Sequence, residues 1–215
     1  MTHLSIEDLV DGMIACADNA SKLAADAGRL YGVRRYSTAG ALAIFSLEES
    51  GKVLLLSATA AAVAQNKKTD WNEFWRNWRK HDEKVKLASL LDLGAHGKDA
   101  AELAVRAFIL EDLSKLRENF IYVDRKGSRW VAPKIQDRDW VSELIDAAEA
   151  LSEQLVSESN KRRRKWIVEQ FQTYTLDPTH PNPFVENLKQ GLGEIQERVQ
   201  QINREIEGLR TDPAA

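Results

Sequence analysis

The sequence predicts an all-α protein, a bundle of long helices with one short β-hairpin insertion and long C-terminal helices. Apolar residues recur at steps of three and four along most of the 215-residue chain, which is the period of an amphipathic helix. Residues 120–131 depart from this pattern, because apolar runs flank a polar tip that contains Gly127. A hydrophobic content of 43% is enough to form a sizeable core.

The first two predicted helices are the longest apolar repeats in the N-terminal half. In the first, the apolar pattern covers residues 6–30, and Gly32 ends the helix, since glycine commonly terminates a helix. Ser37 or Thr38 can cap the second, which runs to about residue 65.

Charged residues interrupt the most apolar stretch, which lies in the second helix. Glu48 and Lys52 are four apart, the spacing of an intrahelical ion pair, and Glu49 adds a second acid. Gly51 would let another helix approach closely. A catalytic carboxylate pair is the alternative interpretation. These charges argue against a membrane span, so the sequence predicts a cytoplasmic protein with no membrane partner.

Two further helices precede the hairpin. Thr69 or Asp70 caps a third helix that begins at Trp71 and ends within residues 94–97. A fourth helix is predicted over residues 98–119.

The C-terminal part predicts a different arrangement. A long helix opens at Asp137 or Asp139 and continues toward Phe171, and prolines then mark a break. Beyond it, apolar residues form a heptad seam. The seam consists of Val185, Leu188, Leu192, Ile195, Val199, Ile202, Ile206 and Leu209. It would dock on the chain's own body or pair with a second copy. We therefore expect a domain over residues 1–135 and a helical extension over residues 136–215.

Bulk composition limits the classes of function. A net charge of −3 excludes a globally basic nucleic-acid coat, so any nucleic-acid contact must come from local patches. The five cations of residues 161–165 are either a solvated face of a long helix or a contact to phosphates beside an aromatic residue. The single cysteine, Cys16, fits a small buried hydrophobe in a helical pattern. The four histidines are scattered without metal-ligand spacing, and neither a metal nor a cofactor is expected.

One arginine–histidine pair is a candidate site. Arg76 could hold a phosphate and His81 could move a proton, but chance alone gives on the order of one such spacing in this composition. On a regular helix the two would point about 140° apart, whereas Asn77 and His81 would share a face. A solvated basic face with an incidental histidine is the alternative interpretation.

Three segments in order resemble the AbiV family of bacterial abortive-infection proteins. They are residues 41–52, 71–84 and 120–133. The resemblance implies a HEPN-like helical bundle, because AbiV proteins are similar to the HEPN superfamily with its Arg-x4-6-His motif. Active members are metal-independent endoribonucleases that dimerise so that two motifs face one cleft.

The resemblance also implies residue roles. His81 would be the general base or acid, Arg76 would bind the scissile phosphate, and Asn77 would orient His81 or the substrate. Further RNA contacts would come from Arg79, Lys80 and Lys84. Glu48, Glu49 and Lys52 match the family's helix-two motif and are expected to support the site. The resemblance implies no chemical role for them.

Two functions follow from these roles. The first is a phage-defence effector, a homodimeric ribonuclease that arrests translation or growth and responds to a phage-encoded activator protein. The second is a non-catalytic binding module that senses a phage protein or blocks the translation machinery.

Overall fold

The computed structural model is helical over most of the residues that it describes, and it confirms the all-α class. It describes residues 3–81, 84, 117, 120–126, 129–133, 138–159 and 161–176. The elements are α1 (Ile6–Gly32), α2 (Tyr36–Ala64), α3 (Trp71–Arg79), β1 (Asp124–Lys126), β2 (Arg129–Val131), α4 (Arg138–Glu158), a 3₁₀ turn (Lys161–Arg163) and α5 (Arg164–Leu176). None of the helices in these ranges has the length and apolar character needed to cross a membrane. The heptad seam, and the predicted fourth helix apart from Arg117, lie outside the described residues.

A tight turn joins α1 to α2. The Arg34 backbone takes a left-handed φ of 64°, and the Arg35 amide donates to the Leu30 carbonyl at 2.8 Å. These contacts return the chain to helical conformation at Tyr36. The prediction that Ser37 or Thr38 caps α2 is therefore wrong, because Arg35 holds the cap position without a side-chain hydrogen bond.

Small residues let α1 and α2 pack closely. Ala17, Ala20 and Ala27 of α1 are fully buried, and the Ser46 hydroxyl of α2 donates to the Ala20 carbonyl at 2.8 Å. Cys16 is buried in the same core, as predicted, and burial followed by the charge of Glu49 raises its thiol pKa to about 12. The thiol is therefore protonated and unreactive at neutral pH.

Two C-terminal helices complete this core. The buried face of α4 consists of Val141, Leu144, Ile145, Ala148, Leu151 and Leu155, and α5 adds Ile167, Val168 and Phe171. The prediction of one helix toward Phe171 is wrong between Glu158 and Arg164, where the 3₁₀ turn intervenes. The break lets α5 fold back onto α1, where Arg164 binds Asp11 and Gln172 binds Glu7.

The two strands follow a buried aromatic anchor. Phe120 is 6% exposed and lies against Gly40 of α2, where an added Cβ would come within 2.9 Å of its ring. The strands pair antiparallel, with Asp124 opposite Val131. The segment is thus tied to α2 on its N-terminal side.

Candidate functional site

The aromatic face of α3 determines which of its side chains reach solvent. Asp70 caps the helix, as predicted, by accepting from the backbone amides of Asn72 and Glu73 at 2.9 and 3.1 Å. Phe74 is buried, and the partly buried aromatic side chains packed against the same core are Trp71, Trp75 and Trp78. The basic side chains of α3 are left on the outer face.

The helix ends before the histidine of the candidate pair. Lys80 has an extended ψ of 121°, so the prediction of one helix from Trp71 into residues 94–97 is wrong at this residue. His81 is again helical. The angular argument that assumed a continuous helix through Arg76, Asn77 and His81 therefore does not apply.

The arginine of the pair is placed apart from the histidine. Arg76 is exposed and lies 3.4 Å from the Glu73 carboxylate, within its own helix. No hydrogen bond or ion pair joins Arg76 or Asn77 to His81, although the structure describes all three residues. Arg79 and Lys80 are also exposed, whereas Lys84 is only 3% exposed.

A buried carboxylate in α2 holds the histidine instead. Glu48 is 4% exposed, and its Oε2 lies 2.7 Å from His81 Nδ1. Its Oε1 accepts a hydrogen bond from Arg117 Nη1, also at 2.7 Å. We call Glu48, His81 and Arg117 the Glu48 cluster. Both oxygens of one carboxylate are engaged, so the cluster fixes two side chains that are remote from it in sequence.

The hydrogen-bond donors and acceptors of the Glu48 cluster determine the tautomer of His81. A carboxylate only accepts, so His81 Nδ1 must carry the hydrogen that binds Glu48. Arg117 Nη1 lies 3.0 Å from Nδ1, but a guanidinium only donates, so this approach is a contact between two donors. The neutral ring then has its lone pair on Nε2. The His81 side chain is 48% exposed, which makes proton transfer at Nε2 sterically feasible.

The other charges of α2 are paired differently from the prediction. Lys52 forms an ion pair with Glu49, so the predicted pair of Glu48 and Lys52 is wrong. Glu48 is already committed to His81 and Arg117. The Lys52 ammonium also lies 5.2 Å from the ring centroid of Trp78 and so joins α2 to α3.

Gly51 permits the close approach that the sequence predicts for it. A Cβ at this position would lie 1.8 Å from the Lys84 carbonyl oxygen, so the main chain at Lys84 contacts the α2 backbone directly. Burial, followed by the charge of Lys52, lowers the pKa of the Lys84 ammonium, and Glu48 and Glu49 act in the opposite direction. Lys84 therefore supports the site from inside and does not present its charge to solvent.

Arg117 is the site residue that sequence reasoning missed. It lies 69 positions from Glu48 and 36 from His81, so no helical spacing connects it to either. The sequence did indicate that a further cation was needed. Buried charges require partners, and the two acids of this apolar helix outnumber the single lysine beside them. Within the described part of the chain, no three His, Cys, Asp or Glu side chains converge as metal ligands.

Replacing Gly51 by alanine tests the contact between α2 and the segment that carries His81. We expect Gly51→Ala to lower the free energy of unfolding by about 1–3 kcal/mol in urea, because the Lys84 backbone must move. Gly32→Ala is the matched control, since nothing lies within 4 Å of its added Cβ. Equal stability of the two variants would show that Lys84 does not contact α2 in this way.

Comparison with known proteins agrees with the resemblance in the sequence. A family model of HEPN type, described as AbiV, matches residues 8–153. No curated protein and no solved structure matches the chain significantly. The matched range includes most of α1, all of α2 and α3, most of α4 and all three residues of the Glu48 cluster. Because the match covers more than half of the sequence, the protein belongs to the AbiV family of HEPN-type abortive-infection proteins.

Proposed function

We propose that the protein is a cytoplasmic abortive-infection effector that cleaves RNA without a metal ion and thereby arrests translation or growth. One observation carries the proposal. A buried carboxylate, Glu48, orients His81 through Nδ1 and leaves a half-exposed ring for proton transfer. This is the arrangement by which a carboxylate fixes the tautomer of a catalytic histidine and stabilises its protonated form.

The chemistry requires one proton transfer at the attacking oxygen and one at the leaving oxygen. His81 Nε2 would take the proton of a ribose 2′-hydroxyl as that oxygen attacks the adjacent phosphorus. The bond from phosphorus to the 5′-oxygen breaks, and the leaving oxygen takes up a proton from a water molecule. Glu48 would stabilise the imidazolium formed in the first transfer. The products are a 2′,3′-cyclic phosphate and a 5′-hydroxyl.

Phosphate binding is the part that a second chain would supply. Arg76 is exposed, and its carboxylate partner Glu73 is a solvent-accessible neighbour at 3.4 Å, so the ion pair is weak enough for a phosphate to replace. We propose that a homodimer brings Arg76 of one protomer to His81 of its partner, with Asn77 beside them. Arg79 and Lys80 would extend the contact along the RNA. A phage-encoded protein would be the activator.

One observation favours a second function. Arg76 and His81 are separated by the end of α3 and do not bind each other within one chain. A non-catalytic module that blocks the translation machinery or senses a phage protein would need only the exposed basic side chains of α3. In that case His81 would serve to hold its own segment on Glu48.

Substitutions at His81 and Glu48 separate the two functions. With total RNA and purified tRNA in EDTA, we expect His81→Ala to lower the cleavage rate by about 10²- to 10⁴-fold, the usual contribution of a general acid or base. Glu48→Gln should lower the rate toward the same level, because a neutral amide does not stabilise the imidazolium. Product ends are read by gel mobility before and after removal of the cyclic phosphate.

Lys67→Gln provides the control for the cleavage assay, since Lys67 is exposed in the link between α2 and α3. Cleavage that persists in the His81→Ala protein would contradict the role of His81. Phage restriction that survives both Arg76→Ala and His81→Ala would establish the binding module instead.

Mixing two inactive variants tests whether one site uses two chains. We expect the Arg76→Ala and His81→Ala proteins to be inactive alone and to regain activity when co-expressed, because a mixed dimer contains one Arg76 facing one His81. The activity of the purified mixed dimer should approach half that of the wild-type dimer. Co-expression without any recovery, in a mixture proven to contain mixed dimers, would contradict a site shared between chains.

A further inference from the structure

A second basic surface lies at the junction of α4 and α5, and it shares no residue with the Glu48 cluster. The 3₁₀ turn and the start of α5 carry five consecutive cations, and Trp166 follows them. We call residues 161–166 the basic corner. The family match ends at residue 153, so the basic corner lies beyond the matched range.

Two of the five cations are engaged with carboxylates. Arg164 binds Asp11 of α1 through two hydrogen bonds of 2.5 and 2.7 Å, and Lys165 lies 3.7 Å from Glu169. The Arg164 pair holds the basic corner against α1. Lys161, Arg162 and Arg163 are exposed, in a chain whose net charge is −3.

Helix stability explains part of this charge, since the Arg163 guanidinium donates to the Ser157 carbonyl in the last turn of α4. Positive charges near a helix N-terminus oppose the macrodipole, and each is unfavourable by about 0.3–1 kcal/mol at an exposed site. The first turn of α5 has no acidic residue to offset them. Lys161 and Arg162 are exposed just before α5 and form no ion pair with a carboxylate among the described residues, which points to an interaction with an anionic partner.

The surroundings of Trp166 favour a nucleic acid as the anionic partner. Its side chain is 40% exposed, and the Arg163 guanidinium lies 4.6 Å from its ring centroid. The same guanidinium donates to the Ser157 carbonyl at 3.1 Å, which fixes it over the indole. An exposed indole stacked with a guanidinium provides flat surfaces for an unpaired base, and the adjacent cations match a phosphate backbone.

We propose that the basic corner is a binding site for single-stranded RNA. Phosphates would contact Lys161 and Arg162, and an unpaired base would stack on Trp166 and Arg163. The choice of RNA rests on the proposed function, since the basic corner would retain RNA that the Glu48 cluster cuts. A single-stranded segment fits better than a duplex, because paired bases do not offer their faces to a side chain.

Binding is measured on the full-length protein with a fluorescent 2′-O-methyl oligouridylate. This probe lacks the hydroxyl that the proposed cleavage uses, so binding is read without cleavage. We expect Trp166→Ala to weaken binding by about 5- to 160-fold, the range for loss of one stacked base. K161Q/R162Q should weaken binding and reduce the slope of log affinity against log salt by about 1.4.

The matched control is K67Q/K68Q, which removes the same charge from exposed positions outside the basic corner and should leave the affinity and the salt slope unchanged. Trp166→Phe should keep most of the affinity, which separates stacking from a general loss of structure. Unchanged RNA affinity in both Trp166→Ala and K161Q/R162Q would overturn the proposal.

A membrane surface is the competing anion. If the Trp166→Ala and K161Q/R162Q proteins lose binding to phosphatidylserine vesicles but keep RNA affinity, the basic corner is a membrane contact and the proposal is wrong. Binding of the probe is measured independently of RNA cleavage. Binding of the probe through the basic corner without any RNA cleavage would support this inference and contradict the proposed nuclease. RNA cleavage without binding through the basic corner would support the nuclease and contradict this inference.

Discussion

The structure depends on the requirement that a buried carboxylate be fully paired. Glu48 lies in the apolar core of α2, where an unpaired charge would cost several kcal/mol. Its two oxygens bind His81 and Arg117, which follow it by 33 and 69 residues. Removing Arg117 would leave the Glu48 charge without its guanidinium, and removing His81 would leave one carboxylate oxygen without its hydrogen bond. The same contacts that make Glu48 tolerable therefore fix the orientation of the histidine.

Close packing makes this pairing possible. Alanine and serine residues bring α1 and α2 together, and Gly51 lets the chain at Lys84 lie against the α2 backbone. Lys52 pairs with Glu49 and lies over Trp78, so it connects the same stretch of α2 to α3. The acids, glycine and lysine of residues 48–52 thus act together, each positioning a different part of the segment that carries His81.

The features that could be predicted from the sequence are those that local periodicity along a helix determines. The bounds of α1, the C-terminal end of α2, the Asp70 cap and the burial of Cys16 follow from nearest neighbours along a helix. The end of α3 at Lys80 was missed, since no glycine or proline marks it. The break after Glu158 was missed because it depends on the docking of α5 on α1 through Asp11. Arg117 could not be found from spacing, because tertiary packing alone brings it to Glu48.

The tautomer of His81 reports directly on its contact with Glu48. Proton–nitrogen correlation spectra of uniformly ¹⁵N-labelled protein distinguish the two ring nitrogens, and a His81→Gln sample assigns the signal among the four histidines. In its neutral form the ring should carry the hydrogen on Nδ1 and leave Nε2 unprotonated. A hydrogen on Nε2, or a ring that averages both forms as a free histidine does, would contradict the contact with Glu48.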